Sequence, residues 1–423
     1  MLVRALKNSL QSINRSPLDF STDILIIGGS YAGLSALVAL KNHFIERASP
    51  QKLKVTMIEP RAGLLNILGI PRSIVDTEFA KTQYIQFQNL NDIRFDCLVS
   101  NDKYVLENLG QHISPNNNNF IEITFVQGVV TGFNESRAEY HLNGDSRNIC
   151  KIDYDYVVAA CGRNRSWPTS PVAYNYESYM KEMVEFNENV EKCNIVTVVG
   201  AGAVGIEIAG DVKTKYPEKV VNLIHPHDSF PPEPLTEKFR EAIRDSLERA
   251  KVNVMTGLRV KKTGDLKRIE FTTGGSIKTD FTYWCTSFQN NTNIFADSFE
   301  SFVSPKNNIY VNEYLQLFHP ENHHLVKNVF CIGDLVEVPI IKSAGWALYM
   351  GRQVANNLTS LIFDDHLIEA FPDLTQMPRG MVLVAGNGEI VSELTGEVEV
   401  NHQGYVEEYK DYCIGKIRAT LGA

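Results

Sequence analysis

The spacing of apolar and polar positions changes period several times along the chain, and each change marks an element. Asp23 precedes the unbroken apolar run Ile24-Leu25-Ile26-Ile27, which leads into Gly28-Gly29-Ser30-Tyr31-Ala32-Gly33 and then the apolar stretch Leu34 to Leu40. A short continuous apolar run reads as a strand buried on both faces, and a glycine-rich turn opening into helical spacing makes a strand–turn–helix unit. Lys54-Val55-Thr56-Met57-Ile58 supplies a second buried strand ending in Glu59, which completes a βαβ unit. The same order returns from Asn194. Ile195 to Val199 is the strand, Gly200-Ala201-Gly202-Ala203-Val204-Gly205 the turn, Ile206 to Tyr216 the helix and Val220 to Ile224 the second strand. Phe239, Ile243 and Leu247 then mark one face of a helix predicted over about 236–250, and Val252 to Met255 returns to strand.

Between the two units lie four strand-like runs, Phe120 to Phe125, Gln127 to Phe133, Arg137 to Leu142 and Lys151 to Val158, the last pair joined through Asn143-Gly144-Asp145. They predict an antiparallel meander closing on a buried strand. Pro115 and the run Asn116 to Asn119 read as an exposed connection. Val329 to Ile332 predicts a strand leading into Gly333-Asp334, and Ser343 to Leu358 a helix. Beyond residue 366 the signals weaken, and only Met381 to Val384 and Gly396 to Val400 read as strands. The expected fold is α/β, with two Rossmann-like dinucleotide-binding domains, one nested inside the other, and a small C-terminal α+β region. The expected boundaries are an amphipathic segment at 1–20, a first domain at 21–164 and 295–365, the nested second domain at 165–294, and a C-terminal region at 366–423.

Composition narrows the function classes. With 41 Lys plus Arg against 50 Asp plus Glu in 423 residues, the net charge of −9 lacks the footprint of a nucleic-acid binder. The seven cysteines include no CxxC or CxxxxC pair, which argues against a disulfide framework, a zinc ribbon or a redox dithiol, so no metal is expected and a reducing compartment is the simpler location. No run approaches the roughly 18 uncharged apolar residues of a membrane span. The first 18 residues carry Arg4, Lys7 and Arg15 and no acid, with Leu2, Val3, Leu6, Leu10 and Ile13 at helical spacing. That pattern fits a peripheral membrane contact, a mitochondrial presequence or an ordinary terminal helix. The expected location is therefore cytoplasmic, peripheral to a membrane or mitochondrial. With Leu2 at the second position, N-myristoylation is not expected.

The glycine turns carry the chemistry. In a dinucleotide site the first glycine makes the tight turn, the second lets backbone approach a pyrophosphate, and the third lets helix pack on strand. Amides at the helix N-terminus then hold the diphosphate. The first copy has Gly28, Ser30 and Gly33 at these places, and Glu59 stands where a carboxylate accepts hydrogen bonds from a ribose diol. The second copy is unbroken at Gly200, Gly202 and Gly205, with Glu207 in its helix, but its second strand ends in His225. An acid there would repel a 2′-phosphate, so its absence permits NADPH without excluding NADH.

At this point the chain resembles the two-dinucleotide-domain flavoproteins (pyridine nucleotide-disulfide oxidoreductase-like), and within them the apoptosis-inducing-factor-like and ferroptosis-suppressor-like branch of NAD(P)H:quinone oxidoreductases. The stretches that carry the likeness are ILIIGGSYAGLSAL, YDYVVAACGRN, VTVVGAGAVGIEIAGDVKTKYPEKVVNLIH and VFCIGDLVEVP followed by Lys342. The resemblance implies FAD on the first unit, with Gly28, Gly29, Ser30, Ala32, Gly33 and Glu59 at its diphosphate and ribose. It implies Val130 against the adenine, Cys161 and Gly162 in a small-small-Gly turn, Asp334 near the ribityl-diphosphate, and Arg61 and Arg72 near the flavin. NADPH or NADH would lie over the second unit, with Glu207 towards the nicotinamide and His225 at the adenosine end. Cys161 departs from the family's usual Thr, and the family's myristoylated N-terminus is missing.

Disulfide-reductase relatives need a cysteine pair near the first motif, and none of the seven qualifies. The implied activity is therefore an FAD-dependent NAD(P)H oxidoreductase that passes electrons directly to a quinone or similar small acceptor. Lys342 would stand near the flavin pyrimidine, where a cation stabilises negative charge on the reduced ring, and Trp346 would line an acceptor slot or belong to the core. The alternative is a redox-sensing or scaffold flavoprotein that acts through a partner protein.

Overall fold

The computed structural model describes residues 21–47, 52–114, 120–165, 170–261, 267–286, 288–374, 379–394 and 396–422. The basic N-terminal stretch and the Asn116 to Asn119 run lie outside these residues. The strand Ser21–Ile27 sits at the middle of a large sheet, parallel to Lys52–Glu59 on one side and to Tyr156–Ala159 on the other. Leu325–Cys331 extends the sheet in parallel beyond Tyr156–Ala159, and Ile121–Phe133 extends it beyond Lys52–Glu59. Strands of this kind need both faces covered. One cover is the helix Tyr31–Arg47 packed on the helix Ala344–Asp364, where Ser35 Oγ donates to the Leu348 carbonyl at 2.7 Å. Their backbones approach so closely that a Cβ at Gly351 would lie 2.4 Å from the Ala32 oxygen.

Two expectations for the meander change. Phe120–Phe125 and Gln127–Phe133 are one 13-residue strand, Ile121–Phe133, whose first half pairs parallel with Lys52–Glu59 and whose second half pairs antiparallel with Arg137–Leu142. The run from 151 to 158 is two strands in different places. Cys150–Asp153 pairs antiparallel with Arg137–Leu142, whereas Tyr156–Ala159 enters the parallel sheet. The chain changes direction between them, where the Tyr154 amide donates to the Ser136 carbonyl and the Asp155 amide to the Asp23 carbonyl. An apolar-content reading spans this break because only the backbone partners change.

The second sheet is wholly parallel, in the order Asn253–Met255, Val220–Ile224, Ile195–Val199, Phe281–Trp284. The helices Ala203–Lys215 and Glu237–Arg249 accompany it. Thr236 caps the latter by accepting from the Phe239 amide. A two-stranded antiparallel link, Arg163–Arg165 with Phe288–Asn290, carries the chain into and out of this unit.

The tail holds more order than its sequence suggests. Gly380–Val384 and Glu397–Val400 flank a central strand, Ile390–Leu394, in an antiparallel sheet, and the short helices Gln403–Tyr409 and Ile414–Leu421 follow. It touches both units. Leu383, Ala385 and Val391 join the apolar core of the second sheet. Gly422, at the far end, accepts from the amides of Asn91 and Asp92 beside the first. Among the described residues no helix is long and apolar enough to cross a membrane.

Candidate functional site

Both glycine turns are built alike. The amide of Gly28 donates to the Ile58 carbonyl at 2.9 Å, and that of Gly200 to the Ile224 carbonyl at 2.8 Å. Both residues have positive φ, 106° and 107°, which an L side chain rarely adopts. The third glycine closes each helix onto its turn. A Cβ on Gly33 would lie 1.9 Å from the Gly28 oxygen, and one on Gly205 would lie 1.8 Å from the Gly200 oxygen. The middle positions differ from these, because Ser30 is exposed and a Cβ on Gly202 would meet nothing within 4 Å. An open face beside unpaired helix-start amides is where an anionic diphosphate binds.

The residue that ends the second strand reaches back to each turn. Glu59 is buried, and its carboxylate accepts from the Gly29 amide at 2.8 Å and from the Arg61 amide at 3.0 Å. In the second unit the Ala201 amide donates to His225 Nδ1 at 3.2 Å. Gly29 and Ala201 are corresponding residues, so an imidazole here does the holding that a carboxylate does in the first unit. Because Nδ1 accepts, the neutral ring carries its proton on Nε2, which is buried without a partner. Burial, and then the neighbouring His227, lower the pKa of His225.

The end of the first sheet gathers further sequence candidates. A Cβ on Gly28 would meet the Ala160 oxygen at 2.5 Å and the Cys161 nitrogen at 3.0 Å, so the first turn lies against the Cys161-Gly162 turn. Gly162 has open space at its Cβ position. Gly333 approaches Ala32, and Asp334 beside it forms an ion pair with Arg163, 2.7 Å from Oδ2 to Nε. Lys342 donates to the Val336 carbonyl at 2.6 Å. Burial lowers its ammonium pKa to about 8, against the opposing pull of Asp334. Trp346 stacks obliquely on Phe371, 5.3 Å between centroids, and meets Tyr349 edge-on. Val130 is buried in the long strand beside a register shift. The guanidinium of Arg61 donates to the Pro171 carbonyl at 3.0 Å.

Arg72 and Glu207 belong to a different neighbourhood, between the units and under the tail. Arg72 Nε lies 3.5 Å from Asp211 Oδ1, its guanidinium sits 4.8 Å over the Tyr412 ring, and it donates to the Lys410 carbonyl at 3.0 Å. Glu207, one turn before Asp211, is buried, and the Val384 backbone lies close enough to act on its carboxyl. Burial, followed by the charge of Asp211, pushes its carboxyl up to about 8. Asp211, Tyr412, Arg163 and Arg165 escaped the sequence reading. The spacing of Asp211 from Glu207 and the basic pair after Cys161-Gly162 were available signals, whereas nothing local marks Tyr412.

All seven cysteines are free, and burial pushes the Cys161 and Cys285 thiols up to about 12. Among the described residues no group of three or more His, Cys, Asp or Glu side chains is arranged to hold a metal ion.

A family model described as pyridine nucleotide-disulphide oxidoreductase matches residues 22–351. Oxidoreductase OXR1 of Ajellomyces capsulatus is 25% identical over 411 residues, covering 90% of this chain and 82% of that protein. Human ferroptosis suppressor protein 1 is 24% identical over 353 residues, covering 80% of each. Among solved structures, NDH2 from Plasmodium falciparum in complex with NADH superposes with a TM-score of 0.69 at 13% identity, covering 95% of this chain and 96% of that one. The sulfide:quinone oxidoreductase of Aquifex aeolicus gives 0.65 at 14% identity, covering 95% and 92%.

Proposed function

Because the chain belongs to the pyridine nucleotide-disulphide oxidoreductase family, we propose that it binds FAD at its first glycine turn and NAD(P)H at its second, and passes electrons from NAD(P)H to FAD and on to a quinone. The observation that carries this reading is the pair of glycine turns of equal backbone geometry, each with an open middle position, in a chain whose described cysteines are all unpaired. The residues fit the two cofactors. Ser30 and Gly202 leave room for a diphosphate against the helix amides, and Gly162 leaves room beside the first turn.

A bound flavin accepts hydride from a nicotinamide and releases electrons one or two at a time to an acceptor. What this chain contributes is binding and charge. Glu59 stiffens the first turn through two backbone amides. The Arg163–Asp334 pair fixes the Gly333-Asp334 corner. Lys342, held by the Val336 carbonyl, offers an ammonium that stays charged below about pH 8. Trp346 and Phe371 form an aromatic wall at the start of the helix that follows Lys342, suited to a flat apolar acceptor. The quinone reading draws support from the fold shared with a sulfide:quinone oxidoreductase.

The test is the absorption spectrum of the purified protein before and after anaerobic NADPH or NADH, followed by addition of a short-chain quinone. A flavin spectrum that bleaches and then recovers supports the reading. A colourless protein, or a bleached one that quinone does not reoxidise, overturns it.

A further inference from the structure

The tail residue Tyr412 is fully buried and points into the carboxyl pair on the helix of the second unit. Its hydroxyl donates to Asp211 Oδ2, while Arg72 approaches the other Asp211 oxygen at 3.5 Å. Among the described residues no side-chain donor reaches Glu207, and the pulls of the Val384 backbone, Arg165 and Arg72 on its carboxyl are smaller than the opposing effects of burial and Asp211. Side-chain donors at Asp211 and none at Glu207 favour the negative charge on Asp211 and the proton on Glu207. Tyr412 is also held firmly. Its carbonyl accepts from Asn66 Nδ2 at 2.9 Å, Asn66 accepts from the Tyr31 hydroxyl, and Tyr412 and Cys413 both have positive φ, 54° and 61°. Two adjacent left-handed residues persist only where surrounding contacts over-determine them. The other charged and titratable groups facing the pair are Arg165 from the interdomain link and Tyr409 from the tail.

We propose that Tyr412 is a positioning residue: by anchoring the charge on Asp211 it keeps Glu207 neutral at the nicotinamide end, so that the oxidised, cationic nicotinamide is not held back. This rests on the two-cofactor reading proposed above, with Glu207 towards the nicotinamide as the family resemblance implies. Nicotinamide is neutral in NAD(P)H and positive in NAD(P)+, so an ionised Glu207 would bind product more tightly than substrate. The value of about 8 for Glu207 agrees with a proton retained at neutral pH.

The experiment is calorimetric titration of the oxidised, flavin-loaded full-length protein with NAD+, repeated with NADP+, between pH 6.5 and pH 9. In the parent, affinity should rise with pH through about 8, by up to tenfold per pH unit at the steepest. Tyr412→Phe keeps the ring over Arg72 and removes the hydroxyl. It should bind NAD+ about fivefold more tightly at pH 7 and lose most of the rise, because the proton has moved to Asp211. Asp211→Asn should do the same, and serves if Tyr412→Phe does not fold. In a Glu207→Gln background neither change should matter, since glutamine cannot ionise. If Glu207→Gln retains the parent's pH dependence, the placement of Glu207 fails and the inference with it. If Glu207→Gln abolishes that dependence while Tyr412→Phe behaves like the parent, or acts undiminished in the Glu207→Gln background, the placement stands and the role of Tyr412 falls.

Discussion

The two glycine turns share their hydrogen bonds, their positive φ and their forbidden third position, yet differ in the side chain that braces them, Glu59 in one and His225 in the other. What is common is imposed by backbone: a strand entering a helix within six residues leaves no room for a side chain at Gly33 or Gly205. What differs is free to follow the ligand. A carboxylate brings negative charge and two acceptor oxygens to the first turn, while a neutral imidazole brings one acceptor and one buried N–H to the second. The brace is thus the part of the motif that differs between the two units, and the part to vary in asking which nucleotide each turn takes.

The sharpest way to separate the two kinds of position is within a single turn. Gly205→Ala would drive a methyl group into a backbone carbonyl, and should cost about 3 kcal/mol or more of stability in thermal or urea unfolding. Gly202→Ala meets nothing, so stability should change by no more than about 0.5 kcal/mol, while NAD(P)H affinity falls by at least about tenfold because the methyl group occupies the diphosphate's approach. Flavin content should stay at the parent level. Equal loss of stability in both variants would mean that Gly202 is not open, and unchanged NAD(P)H affinity in Gly202→Ala would mean that its face is not a ligand face.

Charge comes next, at the lysine proposed to stand near the flavin. Burial depresses Lys342, so it is cationic below about pH 8 and neutral above. The rate of flavin reduction, followed by stopped flow, should therefore fall as pH rises through that value. Lys342→Met should be about tenfold slower at pH 7 and should lack this limb. An unchanged pH profile in the variant would remove Lys342 from the site.

Replacing the brace of the second turn by that of the first tests the comparison directly. His225→Glu should move the ratio of kcat/KM for NADPH over NADH towards NADH by about fivefold, through repulsion of a 2′-phosphate. No shift would mean that the adenosine ribose lies elsewhere. The smallest effect is expected at the thiols that flank the turns. Cys161 and Cys285 stand beside Gly28 and Gly200, and burial pushes both thiols up to about 12, so neither supplies thiolate at neutral pH. Cys161→Ser and Cys285→Ser, once flavin-loaded, should reduce quinone within about twofold of the parent rate, a loss smaller than 1 kcal/mol.

Both βαβ units were legible because strand, turn and helix follow one another without interruption and the glycine spacing is dictated by sterics. The helix over 237–249 was legible for a similarly local reason, the apolar stripe of Phe239, Ile243 and Leu247. The bent strand Ile121–Phe133 was not, since a change of partner leaves no mark on apolar content. Nor was the strand Ile390–Leu394, whose Ser392 and Glu393 are buried although their residue types suggest solvent. Glu393 earns its burial by accepting from the Thr236 amide and hydroxyl, a partner 157 residues away. In the site, the glycines and Glu59 could be read from motif spacing, whereas Arg72 turned out to engage Asp211 and Tyr412, contacts that exist only once the tail has docked.

The nesting of the second sheet has a consequence for how the chain is made. All four strands of that sheet have been synthesised by Trp284, and their pairings are internal to 195–284. The first sheet is begun earlier but lacks its neighbour for Tyr156–Ala159 until Leu325–Cys331 leaves the ribosome. Its exposed edge must therefore wait through the translation of an entire inserted unit, the interval in which unpaired strand edges invite aggregation. The unit that starts second is the first able to finish, and the tail, which touches both, arrives last of all.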